Sequence, residues 1–123
     1  MFRFTTIKDY HTALQAGSMS CIQAVDYYLD QIARNENLNA FLEVFTEDAK
    51  QRAIALDELR AKKKSIGESL GKLHGVVVGI KDVLCYQGHK VSAASKILEN
   101  YTAIYSASAI EKLLAEGAII IGR

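Results

Sequence analysis

The chain has 123 residues, half of them apolar and 24% charged, with 15 Lys and Arg against 14 Asp and Glu. That is one ordinary domain with enough apolar content for a core, which excludes a disordered chain. The even charge balance gives no electrostatic footprint for a nucleic-acid or membrane-surface binder. The longest apolar runs, Val76 to Ile80 and Ala118 to Ile121, fall far short of the ~18 residues of a membrane span.

The opening residues Met1-Phe2-Arg3-Phe4-Thr5-Thr6-Ile7-Lys8-Asp9 place charges where a secretory signal needs an unbroken apolar stretch. Export is therefore not expected, and a cytoplasmic location is. Cys21 and Cys85 form no CxxC pair and read as free thiols in a reducing compartment. Proline is absent and only one of eight glycines, Gly17, precedes position 67. The front half should be mainly helix, and the back half strands and turns.

Thr6 with Asp9 opens a first helix over about 6–16, with Tyr10 and Leu14 at helical spacing and Gly17 as its stop. Ser20 and Gln23 form a capping box for a second helix, whose stripe of Ile22, Val25, Leu29 and Ile32 runs to Asn35-Glu36-Asn37. Leu38 to Phe45 is rich in aliphatic and aromatic residues and short, so it is expected to be a strand. Thr46 is expected to cap a third helix with Ala49, Ala53, Leu56 and Leu59 on its face, acids in its first turn and Lys62 to Lys64 at its end.

Leu73 to Ile80 is a continuous apolar run of the kind found in a strand buried on both faces, and it stops at Lys81-Asp82. Ser108 and Glu111 suggest a capping box for a fourth helix that ends at Gly117, and Ala118 to Ile121 reads as a second buried strand. Strand, crossover with a helix, strand is a βαβ unit of right-handed expectation. The fold class is α/β with an N-terminal helical layer. A strand pair of this kind needs neighbours and covering helices on both faces, so the sequence reads as the front of a larger protein.

Several local patterns carry competing readings. Gly67 to Lys72 (GESLGK) has the wrong spacing for a phosphate loop, lacks the following Ser or Thr, precedes its strand, and reads as a turn. Cys85, His89, His74 and His11 supply only one short ligand pair, so no metal is expected. Tyr101 and Tyr105 read as packing residues and Lys62 to Lys64 as dipole partners. Lys81 stands apart. A lysine that ends an apolar strand commonly just emerges into solvent. Yet ligands of open α/β sheets bind beyond the carboxyl ends of strands, and burial there can lower a lysine pKa from about 10.4 by up to ~3–5 units, which makes it a general base.

Gly71-Lys72-Leu73-His74-Gly75-Val76-Val77-Val78-Gly79-Ile80-Lys81-Asp82 resembles the G-x-L-x-G-x-x-x-x-I-K-D opening of the amidase signature enzymes. Ser95-Lys96-Ile97-Leu98-Glu99-Asn100-Tyr101 resembles the SK-x-LEN-aromatic stretch of one branch, the glutaminase A subunits of glutamyl-tRNA(Gln) amidotransferases. The stretch from Ala109 to Arg123 matches the helix and strand that come next in that family, while the likeness over the first 65 residues is weaker. Lys72 and Val77 stand where the family often has proline, a departure that touches loop rigidity more than chemistry.

The resemblance implies N-terminal helices with one strand over 1–66, then from 67 to 123 the start of the amidase core, the first βαβ part of a mixed sheet left incomplete. It implies amide hydrolysis by a Ser, cis-Ser, Lys triad in which Lys81 is the catalytic lysine and glutamine the substrate. The ammonia passes to a partner subunit that uses ATP and magnesium to convert Glu-tRNA(Gln) to Gln-tRNA(Gln). Subunits B and C are the implied partners, with tRNA held mainly by the partner subunit, and no cofactor or metal is implied for this chain. Both catalytic serines belong to a glycine- and serine-rich stretch beyond Ile121, so the 123 residues alone are expected to be inactive. Ser92, Ser95, Ser106 and Ser108 stand in turns and caps and none lies in a glycine-flanked nucleophile turn. The alternative is a non-catalytic interaction or scaffold module, or part of another amide hydrolase.

Overall fold

The computed structural model describes residues 4–123, so the part of the N-terminal reading that rests on Met1 to Arg3 lies outside it. The order is α1 (Ile7–Ala16), α2 (Cys21–Arg34), a 3-10 turn (Glu36–Leu38), α3 (Thr46–Ile66), β1 (Val77–Gly79), a second 3-10 turn (Lys96–Leu98), α4 (Ser108–Ala115) and β2 (Ile119–Gly122). This is a mixed α/β arrangement, with β1 and β2 pairing in parallel across a crossover that contains α4.

The first two helices begin where the sequence expects. Thr6 Oγ1 accepts from Asp9 N, and Gly17 closes α1 at a φ of 76°, which glycine adopts without penalty. At α2 every amide of the first turn is satisfied: Ser20 N donates to Gln23 Oε1, Gln23 N donates to Ser20 Oγ, and Cys21 N and Ile22 N donate to the Asp57 carboxylate. Asp57 comes from α3, so the joint between these helices is polar at its end as well as apolar along its length. Arg60, also on α3 and paired with Asp57, donates to the Leu14 and Met19 carbonyls and so ties the end of α1 to the same end of the joint.

The later helix starts differ from expectation. Phe45 rather than Thr46 occupies the N-cap of α3, Ala107 rather than Ser108 occupies that of α4, and neither makes a side-chain cap. The cause is tertiary: Phe45 N donates to Ile121 O at 2.8 Å and Ala107 N to Cys85 O at 2.9 Å, which fixes each helix entry by backbone pairing. Leu59 is also off the buried face of α3, which carries Ala49, Ala53 and Leu56.

Leu38 to Phe45 is not a strand. Leu38 ends a 3-10 turn, Asn39 turns at a φ of 47°, and only Val44 makes a bridge, antiparallel to Gly122. The chain there clasps the end of β2 through Leu42 N to Arg123 O, Arg123 N to Glu43 O and Phe45 N to Ile121 O. After the left-handed turn at Asn39 the chain meets β2 only at its end, where the Val44 bridge and these three backbone bonds are the pairing it makes.

The two strands are buried unequally. In β2, Ile119 and Ile121 join the core formed by Tyr10, Leu14, Cys21, Ala24, Val25, Ala49, Ala53 and Leu56, while Ile120 joins Phe45 and Ile110 on the opposite side. The period of two along a strand thus feeds two layers at once. In β1, Val77 and Val78 are half-buried and Gly79 is exposed, so the expectation of a strand buried on both faces holds for β2 and not for β1. Helices cover both sides of β2, whereas β1 has its neighbour on one side. Cys21 lies in the larger core as a free thiol, and burial pushes its pKa up to about 12.

Candidate active site at the strand ends

Val77 pairs with Ile119 and Val78 with Ile120, but Gly79 pairs with Gly122, so the register slips and Ile121 becomes an extra residue. Such a bulge bends the strand and re-aims the residues beyond it. Directly past the bulge, Ile80 N donates to Gly122 O at 3.0 Å and Leu84 N donates to Lys81 O at 3.0 Å, turning the chain at Lys81. Lys81 therefore stands at the carboxyl end of β1, beside the end of β2, and its side chain is exposed.

The next residue is its opposite. Asp82 is buried, and its carboxylate accepts from Ser92 N at 3.0 Å, from Ser92 Oγ and from Arg123 Nη1. Arg123 also donates from Nε to Glu43 Oε2 at 3.1 Å. Burial alone would raise the Asp82 pKa, but the Ser92 hydrogen bonds and the Arg123 charge outweigh it and hold the carboxyl below its ordinary value. Burial works against the Arg123 guanidinium too, and its bonds to Glu43 and Asp82 more than compensate, raising its pKa. The Asp82 carbonyl accepts from Ala93 N at 2.9 Å, and Ala93 and Ala94 both lie in the left-handed region, at φ 48° and 55°. Non-glycine residues occupy that region only where their surroundings dictate it.

The other singled-out residues separate. His11 Nε2 donates to the His74 carbonyl at 3.0 Å near α1, whereas His89 pairs with Asp48 at 2.9 Å and stacks on Tyr86 with ring centroids 4.4 Å apart. Cys85 follows β1, and among the described residues no group of three His, Cys, Asp or Glu side chains could hold a metal ion. Gly67 to Lys72 is a helix stop and turn: Gly67 closes α3 at a φ of 71°, and a Cβ on Gly71 would meet Glu116 O at 2.3 Å. Ser92 is engaged with Asp82, and Ser106 Oγ accepts from Gln87 N. The Asp82, Ser92, Glu43 and Arg123 cluster carries no signal in the sequence beyond a charged residue following each apolar strand.

Nearly all of the chain finds counterparts among known proteins. The Amidase family model matches residues 23–123. The A subunit of glutamyl-tRNA(Gln) amidotransferase from Chlorobium phaeobacteroides strain BS1 is 38% identical over 120 residues, covering 98% of this chain and 24% of that protein. Its counterpart from Chloroflexus aggregans is 37% identical over 121 residues, again 98% of this chain and 24% of that protein. The chain thus spans about a quarter of the length of the curated relatives it matches. Among solved structures, native peptide amidase from Stenotrophomonas maltophilia superposes with a TM-score of 0.83 at 25% identity, over 97% of this chain and 24% of that one. Among the described residues no helix is long and apolar enough to cross a membrane. With the family model covering four-fifths of its residues, including both strands and the lysine between them, the chain belongs to the amidase family.

Proposed function

We propose that these 123 residues act as the N-terminal part of a glutaminase subunit of a tRNA-dependent amidotransferase, with Lys81 as its proton-handling lysine. The observation that carries the reading is the placement of Lys81 at the carboxyl end of β1, in a chain that matches amidotransferase A subunits along 98% of its length. In this reading residues 67–123 begin the amidase core and the helices of residues 1–66 pack behind it. Lys81, as a neutral amine, accepts a proton from a serine, which activates the nucleophilic serine. That second serine attacks the glutamine side-chain amide, the relay returns the proton to the leaving nitrogen so that ammonia departs as the acyl-enzyme forms, and water, deprotonated by the same relay, cleaves the ester to release glutamate and restore the serine hydroxyl. Neither Ser92 nor Ser106 is assigned as nucleophile, since each hydroxyl already serves a local hydrogen bond.

Burial is what makes a lysine neutral. Lys81 is exposed here, so the reading requires further protein surface to close over its amine. Subunits B and C are the proposed partners, glutamine the substrate, and the cytoplasm the compartment. ATP and magnesium act at the partner subunit that amidates Glu-tRNA(Gln).

The test is ammonia release from glutamine by the intact protein assembled with its B and C subunits. Lys81→Met should lower the rate by about 10³-fold or more, which is about 4 kcal/mol of transition-state stabilisation. Retention of most of the activity would remove Lys81 from the mechanism. The 123 residues by themselves should release no ammonia, and a turnover that vanished on Lys81→Ala would place the nucleophile among their own serines.

A further inference from the structure

Lys81 is bracketed by fixed points. On one side Ile80 N is held by Gly122 O, directly after the register slip between β1 and β2. On the other, Asp82 is held through both its carbonyl, by Ala93 N, and its carboxylate, by Ser92 and Arg123. Arg123 is anchored in turn by Glu43 through the side chain and through the backbone pair Arg123 N to Glu43 O at 3.0 Å. Three separate stretches of chain, around positions 43, 92 and 123, therefore converge on the residue next to Lys81. Ala93 and Ala94 keep their left-handed conformation within the same knot, a local strain that points to a required geometry.

We propose that Asp82 and Arg123 are positioning residues that hold Lys81 at the angle from which its amine exchanges protons. The proposal rests on the reading of Lys81 as the proton-handling group and adds the device that aims it. The planar Arg123 guanidinium spans two carboxylates, Nε to Glu43 and Nη1 to Asp82, which fixes its direction, and lysine in place of arginine keeps the charge and loses that span. An exposed ion pair would be a weak tether, but here the Asp82 and Arg123 side chains are 9% and 10% exposed, so the pair is shielded from solvent and salt.

The experiment uses the intact protein with its partner subunits and compares wild type, Lys81→Met, Asp82→Asn, Arg123→Lys and Glu43→Gln. Asp82→Asn should lower kcat for ammonia release by about 10- to 100-fold with KM changed less than about 3-fold, and Arg123→Lys should do so by about 10-fold. Glu43→Gln, one step further from Lys81, should have the smallest effect. A second readout does not depend on turnover: the rate of acylation of the Lys81 amine by a small anhydride at fixed pH, followed by peptide mass spectrometry. In Asp82→Asn that rate should change, because the backbone that fixes the placement of the amine has been released. If Asp82→Asn does not fold, Arg123→Lys decides, because its kcat loss is expected without loss of the ion pair's charge. Variants whose kcat and Lys81 acylation rate both equal wild type would overturn the proposal, as would kcat losses that merely follow a falling melting temperature. If instead Lys81→Met retains full activity, the reading of Lys81 as the proton-handling lysine fails, and the positioning role fails with it.

Discussion

β1 and β2 have nearly the same sequence character and different physical situations. Each ends an apolar run that reads as a strand buried from both sides, Leu73 to Ile80 and Ala118 to Ile121. β2 lies between the α1, α2 and α3 layer and the α4 side, with all four residues buried, while β1 has one strand neighbour and half-open valines. β2 is therefore held by apolar packing. β1 is held at its carboxyl end by the polar tie through Asp82 to Arg123 and Ser92, and this end carries Lys81. The buried strand is the reference and the half-open strand carries the lysine proposed to handle protons, a division in keeping with functional groups lying at strand ends on a rigid scaffold.

The largest effect should come from breaking the packed strand. Ile119 is fully buried, so Ile119→Ala should cost about 3–4 kcal/mol from lost transfer energy and the cavity left behind. Val77→Ala, at the half-buried position paired with Ile119, should cost about 1 kcal/mol or less. Urea-unfolding midpoints of the two variants measure the contrast, and equal losses would show that β1 is as tightly packed as β2.

A smaller effect separates the polar tie from the apolar core. The folded pKa of Asp82 is lowered, so the native state favours the charged form more than the unfolded chain does. The stabilisation is complete above the ordinary aspartate value of about 3.9 and is lost as pH falls through the lower, folded value. Asp82→Asn should therefore destabilise at neutral pH by about 2 kcal/mol, the worth of hydrogen bonds to a charged group. It should also flatten the acid limb of the stability profile below about pH 4. Ile119→Ala should leave that limb's shape unchanged, since no titrating group is removed. Guanidinium unfolding from pH 2 to 7 reads both.

The sequence makes the α/β class, four helices, two parallel-strand candidates and the IKD lysine legible, because each rests on local periodicity or a contiguous motif. It does not reveal which strand is covered, since burial on both faces depends on Phe45, Ile110 and the α3 alanines arriving from elsewhere in the chain. Nor does it reveal the Asp82 cluster, whose members at 43, 82, 92 and 123 are brought together only by the parallel register and the clasp of Leu42 to Phe45 around β2. The expected strand at Leu38 to Phe45 shows the converse: its composition suits a sheet, but the turn at Asn39 brings the chain against β2 only at its end, so a single bridge at Val44 forms in place of a ladder.

The helix starts sharpen the same contrast at the smallest scale. Ser20 and Ser108 are both followed three residues later by Gln or Glu, so their local patterns are equivalent. Only Ser20 acts as a cap, accepting from Gln23 N while Gln23 returns the bond. At α4 the backbone of Ala107, pinned to Cys85 O, has already set the start, and Ser108 is inside the first turn. Ser20→Ala should thus cost about 1 kcal/mol, and Ser108→Ala should fall within about 0.5 kcal/mol of wild type. Because Asp57 continues to satisfy Cys21 N and Ile22 N in the Ser20 variant, helix α2 should persist and the loss should be confined to its first turn. Amide hydrogen exchange checks this directly: protection should fall at Gln23 in Ser20→Ala and stay unchanged at Glu111 in Ser108→Ala. Equal losses at both positions would mean that the residue pattern, and not the tertiary anchor, decides where these helices begin.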